Sequence, residues 1–126
     1  GSQYAFSSRD TSGAYLDGSK NYKVNIPANP PANRFWSFVV YDPQTRSMLQ
    51  SKEMPYPSKN NKRNPDMVKN TDGSTDLYFG PKAPVGKEAN CVNTVPGKGW
   101  FGIFRLYGTG QEWFERTWKL GATEKL

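Results

Sequence analysis

The stretch Gly99-Trp100-Phe101-Gly102-Ile103-Phe104-Arg105-Leu106-Tyr107-Gly108 constrains the fold more than any other part of the chain. It is the longest apolar run, fenced by glycines and rich in aromatic and β-branched residues. That is the pattern of a strand buried on both faces. Alternation puts Phe101, Ile103, Arg105 and Tyr107 on one face. Arg105 is the only charge in the run, and in a central strand it needs a partner, because an unpaired buried charge is costly. A second run, Phe35-Trp36-Ser37-Phe38-Val39-Val40-Tyr41-Asp42, carries bulky residues on both alternating sets. It reads as another central strand, packed on the core by one face and covered on the other. The two runs are expected to lie together in the middle of layered sheets.

The rest of the chain supplies shorter strands and turns. Around Tyr4, Phe6, Tyr15 and Leu16 the pattern predicts a short strand, a loop and a second short strand, and Asp17-Gly18 reads as a hairpin turn. Tyr22, Val24 and Ile26 alternate with Lys23 and Asn25, so one face is buried and one is wet. Pro27 stops that strand, since it has no N–H for the ladder. Asp42-Pro43-Gln44-Thr45 is a turn signal, with Arg46–Leu49 returning as a hairpin partner. Residues 50–72, with Pro55, Pro57 and Pro65 among many Lys and Asn, read as a long polar loop. Asp72-Gly73 turns into Asp76–Phe79, and Cys91–Val95 is a short strand. Thr109-Gly110-Gln111-Glu112 has the spacing of a capping box, and Phe114 and Trp118 are four apart, which predicts a helix over 110–118. Together these elements argue for an all-β sandwich or jelly roll with one short C-terminal helix.

Composition decides which chemistries remain open. The chain has 126 residues, no histidine and one cysteine. That length fits a single domain, 1–126, with Gly1-Ser2 read as a cloning remnant. Four Trp, seven Tyr and seven Phe supply a large core from few positions. Without histidine, Ser-His-Asp and Cys-His nucleophiles and the usual zinc, copper and non-haem iron sites are excluded. The lone Cys91 cannot form an internal disulfide and reads as a small buried hydrophobe. No stretch has the roughly 18 apolar residues of a membrane span, and no basic-then-apolar leader is present. The net charge of +6 invites a nucleic-acid reading, but Lys and Arg are mostly scattered. Their one cluster, Lys59, Lys62, Arg63 and Lys69, reads as a solvated loop, so nucleic acid is not the expected partner.

Four phrases carry a family resemblance. Leu16-Asp17-Gly18-Ser19-Lys20-Asn21-Tyr22, the Phe35–Asp42 run, Asn70-Thr71-Asp72-Gly73-Ser74 and the Gly99–Gly108 run stand in a characteristic order and spacing. Together, from about Tyr15 to Trp118, they resemble the C-terminal domain of a two-domain, mostly bacterial family. That domain is catalogued as domain of unknown function 1214, and its N-terminal companion as domain of unknown function 1254. The resemblance implies a jelly-roll-like β-sandwich without an assigned activity, partnered by the companion domain. The export signals of many relatives imply the cell envelope or the exterior. Cys91 departs from the pattern, since relatives often carry Trp after the Asn.

Each candidate for chemistry has a structural alternative. Asp42, Asp72, Asp76, Glu112 and Glu115 are the carboxylates available for paired acid–base work. Turn and cap roles are preferred for them, with Asp42 placed to pair with Arg46 or Arg105. Asp72 to Asp76 packs oxygen donors but lacks calcium-loop spacing. Arg105 and Tyr107, on one strand face, form either an anion anchor reaching into a cleft or part of a buried Arg–Asp pair that sets strand register. Trp36, Trp100 and Trp118 sit in core-like context, leaving Trp113 as the exposed ring for stacking on a sugar. The candidate ligand-binding residues are therefore Arg105, Tyr107, Asp42 and Trp113, with no catalytic residue, metal or cofactor assigned. The functional reading is a non-catalytic module that packs against a partner domain or binds a small molecule such as a saccharide. The alternative is a histidine-independent hydrolase or lyase using Asp, Arg and Tyr in a cleft.

Overall fold

The two aromatic-rich runs fold as neighbouring strands. The structure, a computed structural model, describes residues 2–51, 54 and 56–126, apart from the side chains of Ser2, Asn33 and Glu112. In chain order its strands are β1 (Ser2–Ser7), β2 (Tyr22–Ile26), β3 (Ala32–Tyr41), β4 (Ser58–Asn60), β5 (Thr75–Gly80), β6 (Cys91–Asn93), β7 (Phe101–Thr109) and β8 (Thr123–Lys125). They form two four-stranded sheets, ordered β1-β7-β3-β4 and β6-β5-β2-β8. The first sheet is antiparallel throughout. In the second, β2 is antiparallel to β5 and β8, while β6 runs parallel to β5. Among the described residues, no helix is long and apolar enough to cross a membrane.

Period-two alternation decides what faces inward. Trp36, Phe38 and Val40 of β3 and Phe104 and Leu106 of β7 meet Tyr22, Val24 and Ile26 of β2, Leu77 and Phe79 of β5 and Val92 of β6 in one buried cluster. The Phe38 and Phe79 rings, from opposite sheets, lie 4.9 Å apart, so the sheets pack face to face as a sandwich. Each fully buried side chain of this size contributes about 1.5–3 kcal/mol. Gly102 belongs to the same inner face, and the Phe38 ring occupies the space its side chain would take. A Cβ there would stand 2.2 Å from Phe38 Cε1.

Several expectations are corrected. The short strand at Tyr15–Leu16 reduces to single bridges, Arg9 to Tyr15 and Asp17 to Gly99. Gly18 serves close approach rather than a positive φ: its N–H donates to Lys98 O at 2.8 Å, and a Cβ would stand 2.0 Å from Val95 O. Arg46–Leu49 does return antiparallel beside the end of β3, through a bridge from Met48 to Tyr41 and the bonds Asp42 N–H to Ser47 O and Leu49 N–H to Val40 O, but forms no strand, and β4 is the strand neighbour of β3. β4 lies inside the stretch expected to be loop, and Lys59 within it is buried. Asn90 pins the following segment, exchanging two hydrogen bonds with the Val68 backbone and donating to Asp76 O.

The helix expected over 110–118 does not form, and the chain makes one α-helical turn, Gln111–Phe114. Gly110 takes the cap position without a side-chain bond, while Thr109 stays in β7 and donates its hydroxyl to Leu106 O. The Glu112 half of the expected capping box lies outside the described residues. Arg116, at φ 59°, ends the turn in the left-handed region. Phe114 consequently points to solvent, whereas Trp118 is buried and stacks on Phe104 at 5.9 Å. Its indole N–H reaches Ala28 O at 3.1 Å, and the chain then crosses to the second sheet to add β8 beside β2.

Candidate functional site

Arg105 stands on the outer face of the first sheet. It lies opposite Tyr4 of β1 and Ser37 of β3, in the register set by the paired inner faces. Two strand positions away, Tyr107 stacks on Phe35 with ring centroids 4.3 Å apart and planes at 22°. Toward the other end, Tyr41 stacks on Phe101 at 5.4 Å and 16°. Between these ring pairs lie only Ser37 and Val39 on β3, so the sheet surface dips where Arg105 sits. Met48, Met54 and Tyr56, together with Arg63 and Asn64, border the dip and line a cleft of about 700 Å³. That is within the roughly 300–1,000 Å³ typical of small-ligand sites.

Among its described lining residues, the cleft carries charge of one sign. It carries two guanidinium groups, Arg63 and Arg105, and none of its described lining residues is acidic. Ion pairs among the described residues are Lys23–Glu124 and Lys98–Asp42, and neither involves the cleft. Arg105 Nε is buried with no hydrogen-bond partner among the described residues. The Tyr107 side chain beside it, and then the Tyr41 and Tyr4 phenols, hold the guanidinium pKa above its ordinary value despite partial burial. Lys62 lies 5.5 Å from the Phe35 ring centre and Arg63 5.9 Å from that of Tyr56, so the basic stretch folds over the aromatic edge of the cleft.

Of the four candidates, Arg105 and Tyr107 come together in the cleft, and Asp42 and Trp113 do not. Asp42 follows β3 with its carboxylate turned to the next loop, where it accepts from Gln44 N–H at 2.8 Å and from Lys98 Nζ at 3.2 Å. The Gln44 amide lowers its pKa most; burial opposes this and Lys98 adds to the lowering. The expected pairing with Arg46 or Arg105 is thus replaced by one with Lys98, and the buried Arg–Asp register pair is absent among the described residues. Trp113 is half-buried in a separate groove of about 390 Å³ beside Ala5, Trp118 and Leu120.

The other described carboxylate candidates do not converge. Asp72 accepts from the Ser74 amide and hydroxyl in its turn, and Asp76 accepts from Asn25 and Asn70. Glu115 is exposed at the end of the helical turn. Cys91 is buried, and burial pushes its thiol up to about 11. Sequence reasoning missed Phe35, Tyr41, Tyr56 and Arg63 as cleft residues. Phe35 and Tyr41 are legible as one strand face, but in sequence that face reads as covered. Arg63 carries no signal beyond a basic stretch.

Fold and site define a two-sheet, all-β domain with an arginine-centred aromatic cleft on one outer face. Residues 1–111 match the family described as protein of unknown function (DUF1214), and the chain belongs to that family. Among solved structures it is similar to the VPA0106 protein of Vibrio parahaemolyticus, at 24% identity and TM-score 0.81, covering 99% of this chain and 30% of that one. It is also similar to an uncharacterized protein from Burkholderia cenocepacia, at 17% identity and TM-score 0.58, covering 98% of this chain and 34% of that one. The chain thus spans about a third of the length of these structures, and at such identities the likeness is one of fold. No curated protein matches the sequence.

Proposed function

We propose that this chain is a non-catalytic β-sandwich module that binds a small anionic ligand in the outer-face cleft, with Arg105 as the anchor. The observation that carries the reading is the Arg105 guanidinium: central in the sheet, Nε buried without a partner among the described residues, and surrounded by phenols with no described carboxylate in the cleft. A guanidinium set this way offers a planar fork to an incoming oxyanion. The strand order supports a jelly-roll-like reading of the sandwich, since β7 returns between β1 and β3.

The test is a thermal-shift screen of organic acids, phosphates and saccharides, because a ligand that binds only the folded form raises the melting temperature. Hits are expected to be anionic and to vanish in Arg105→Met. Anionic hits that persist unchanged in that variant would overturn the reading. The alternative of a histidine-independent hydrolase or lyase has less support, because Asp42 lies outside the cleft and no described carboxylate takes its place there.

A second reading concerns the partner domain. Tyr4 and Phe6 on β1 are 54% and 64% exposed next to the cleft, and the matched solved chains are about three times longer than this one. These rings would seat an N-terminal companion domain. Binding of a separately produced companion domain, lost in a Tyr4→Ser and Phe6→Ser double variant, is the expected result. Binding unchanged by that substitution would refute it.

A further inference from the structure

We propose that the cleft is a site for a carboxylate-bearing saccharide, a uronic-acid unit whose carboxylate sits on Arg105. The inference rests on the anion-binding reading and narrows it by three features of the cleft.

The first is the charge it can neutralise. Arg105 is the one cation standing on the sheet itself among the described lining residues, and its Nε–H has no partner among the described residues. Nε itself is buried, so the terminal Nη groups are what the cleft offers, and a guanidinium edge matches the two oxygens of a carboxylate. A phosphate dianion is commonly met by converging backbone N–H groups at a helix N-terminus or nest. Here the anchor lies on a sheet whose flanking strands pair with β7 on both sides. Arg105 on the sheet, with Arg63 at the rim, presents guanidinium edges, the donor geometry that matches a carboxylate.

The second is the shape of the walls. The stacked pairs Phe35–Tyr107 and Tyr41–Phe101 flank Arg105 along the strands. Aromatic rings present flat apolar faces, and the tyrosines add polar tips. A pyranose has the same duality, with C–H groups on its faces and hydroxyls at its rim.

The third is an excess of neutral hydrogen-bonding groups. Ser37, Ser58, Asn60 and Asn64 line the cleft with the tyrosines. Asn60 Oδ1 accepts from Lys62 and Arg63 N–H, and Asn64 Oδ1 accepts from Asn60 N–H. These bonds use the Oδ1 atoms, and among the described residues neither Nδ2 is given a partner. A purely apolar acid such as benzoate would strand these groups without partners, which is costly once water is excluded. A hydroxyl-rich ligand would satisfy them.

The experiment is a titration of the protein by isothermal calorimetry and by ¹⁵N–¹H spectra. The probes are a galacturonic-acid oligosaccharide, a neutral oligosaccharide of equal length, benzoate and inorganic phosphate. The uronate is expected to bind about 10- to 150-fold more tightly than the neutral sugar, the worth of a hydrogen-bonded charge. Binding is expected to shift the Arg105 Nε–H resonance, a readout that needs no variant. Arg105→Met should remove the preference, while Lys82→Ala, an exposed site with the same change in charge, should keep it. Equal binding of neutral and acidic sugars would overturn the carboxylate assignment. Binding of benzoate or phosphate but not the uronate, with the Arg105 resonance shifting, would overturn the saccharide and leave the anion cleft standing. If no probe binds or moves that resonance, the proposal fails, and failure of the broad screen as well would remove the anion cleft itself.

Discussion

Replacing Arg105 with methionine separates a binding residue from a structural one by the sign of the stability change. The guanidinium is partly buried on a central strand and, among the described residues, has no acidic partner and none for Nε. An unsatisfied buried donor costs about 1–3 kcal/mol. Methionine keeps much of the stem, fills an irregular gap and removes that donor. Against this stands the interaction of the guanidinium with the Tyr107 side chain, on the order of 1 kcal/mol for a hydrogen bond at a partly exposed site. The net expectation is a free protein unchanged or stabilised by up to about 2 kcal/mol. In a chain of this length each kcal/mol moves the melting temperature by roughly 3–5 °C. If Arg105 instead belonged to a buried ion pair, its loss would cost about 3–5 kcal/mol. Urea titration followed by tryptophan fluorescence, with a thermal melt, distinguishes the two. A loss of about 3 kcal/mol or more in the ligand-free protein would refute the assignment of Arg105 as an unpaired anchor.

Three further outcomes follow from the geometry. Gly102→Ala should cost about 1–3 kcal/mol by urea titration, since the new Cβ would lie 2.2 Å from Phe38 Cε1 and 2.7 Å from Cζ in a fully buried ring. Adding Phe38→Leu should recover part of that cost, and a neutral Gly102→Ala would refute the packing argument. Four carboxyls are held below the ordinary 3.8 chiefly by hydrogen bonds: Asp10 by the Ser12 hydroxyl, Asp17 and Asp42 by the Ser19 and Gln44 amides, and Asp72 by the Ser74 hydroxyl. Their folded values are depressed, so their contribution is present above the ordinary pKa and lost as pH falls through the lower folded values. With no histidine in the chain, the urea midpoint should stay flat between about pH 5 and 8 and fall below about pH 4. A marked slope near neutrality would contradict this. The Cys91 thiol, pushed up to about 11 by burial, should resist alkylation near pH 8 in the native protein and react fully in denaturant. Fast native alkylation would show that it is not enclosed.

Much of the sandwich was legible in local pattern. Tyr22–Ile26 alternates buried and half-buried side chains as its sequence does. The Phe35–Tyr41 and Phe101–Tyr107 runs form adjacent strands. Elements defined by few residues were not legible. β4 and β8 have three residues each, too short for alternation to stand out, and they exist because β3 and β2 offer open edges. The helical spacing of Phe114 and Trp118 was real in sequence but lost to tertiary packing, since Trp118 gains more by stacking on Phe104 and reaching the Ala28 carbonyl than a short surface helix supplies.

Sequence by itself determined which side chains share a face along each long strand, because the backbone alternates every residue whatever its neighbours are. It also determined that histidine chemistry is absent and that Arg105 and Tyr107 share a face. Only the tertiary structure decided what those two residues meet. Asp42 pairs with Lys98, 56 positions away, rather than with Arg105. Arg63 comes to the rim of the cleft because β4 pairs with β3. Such pairings depend on which strand edges meet across long chain separations, and no window of local sequence carries that information. The lack of a described acidic neighbour around Arg105, from which the binding function is inferred, is a property of that assembly.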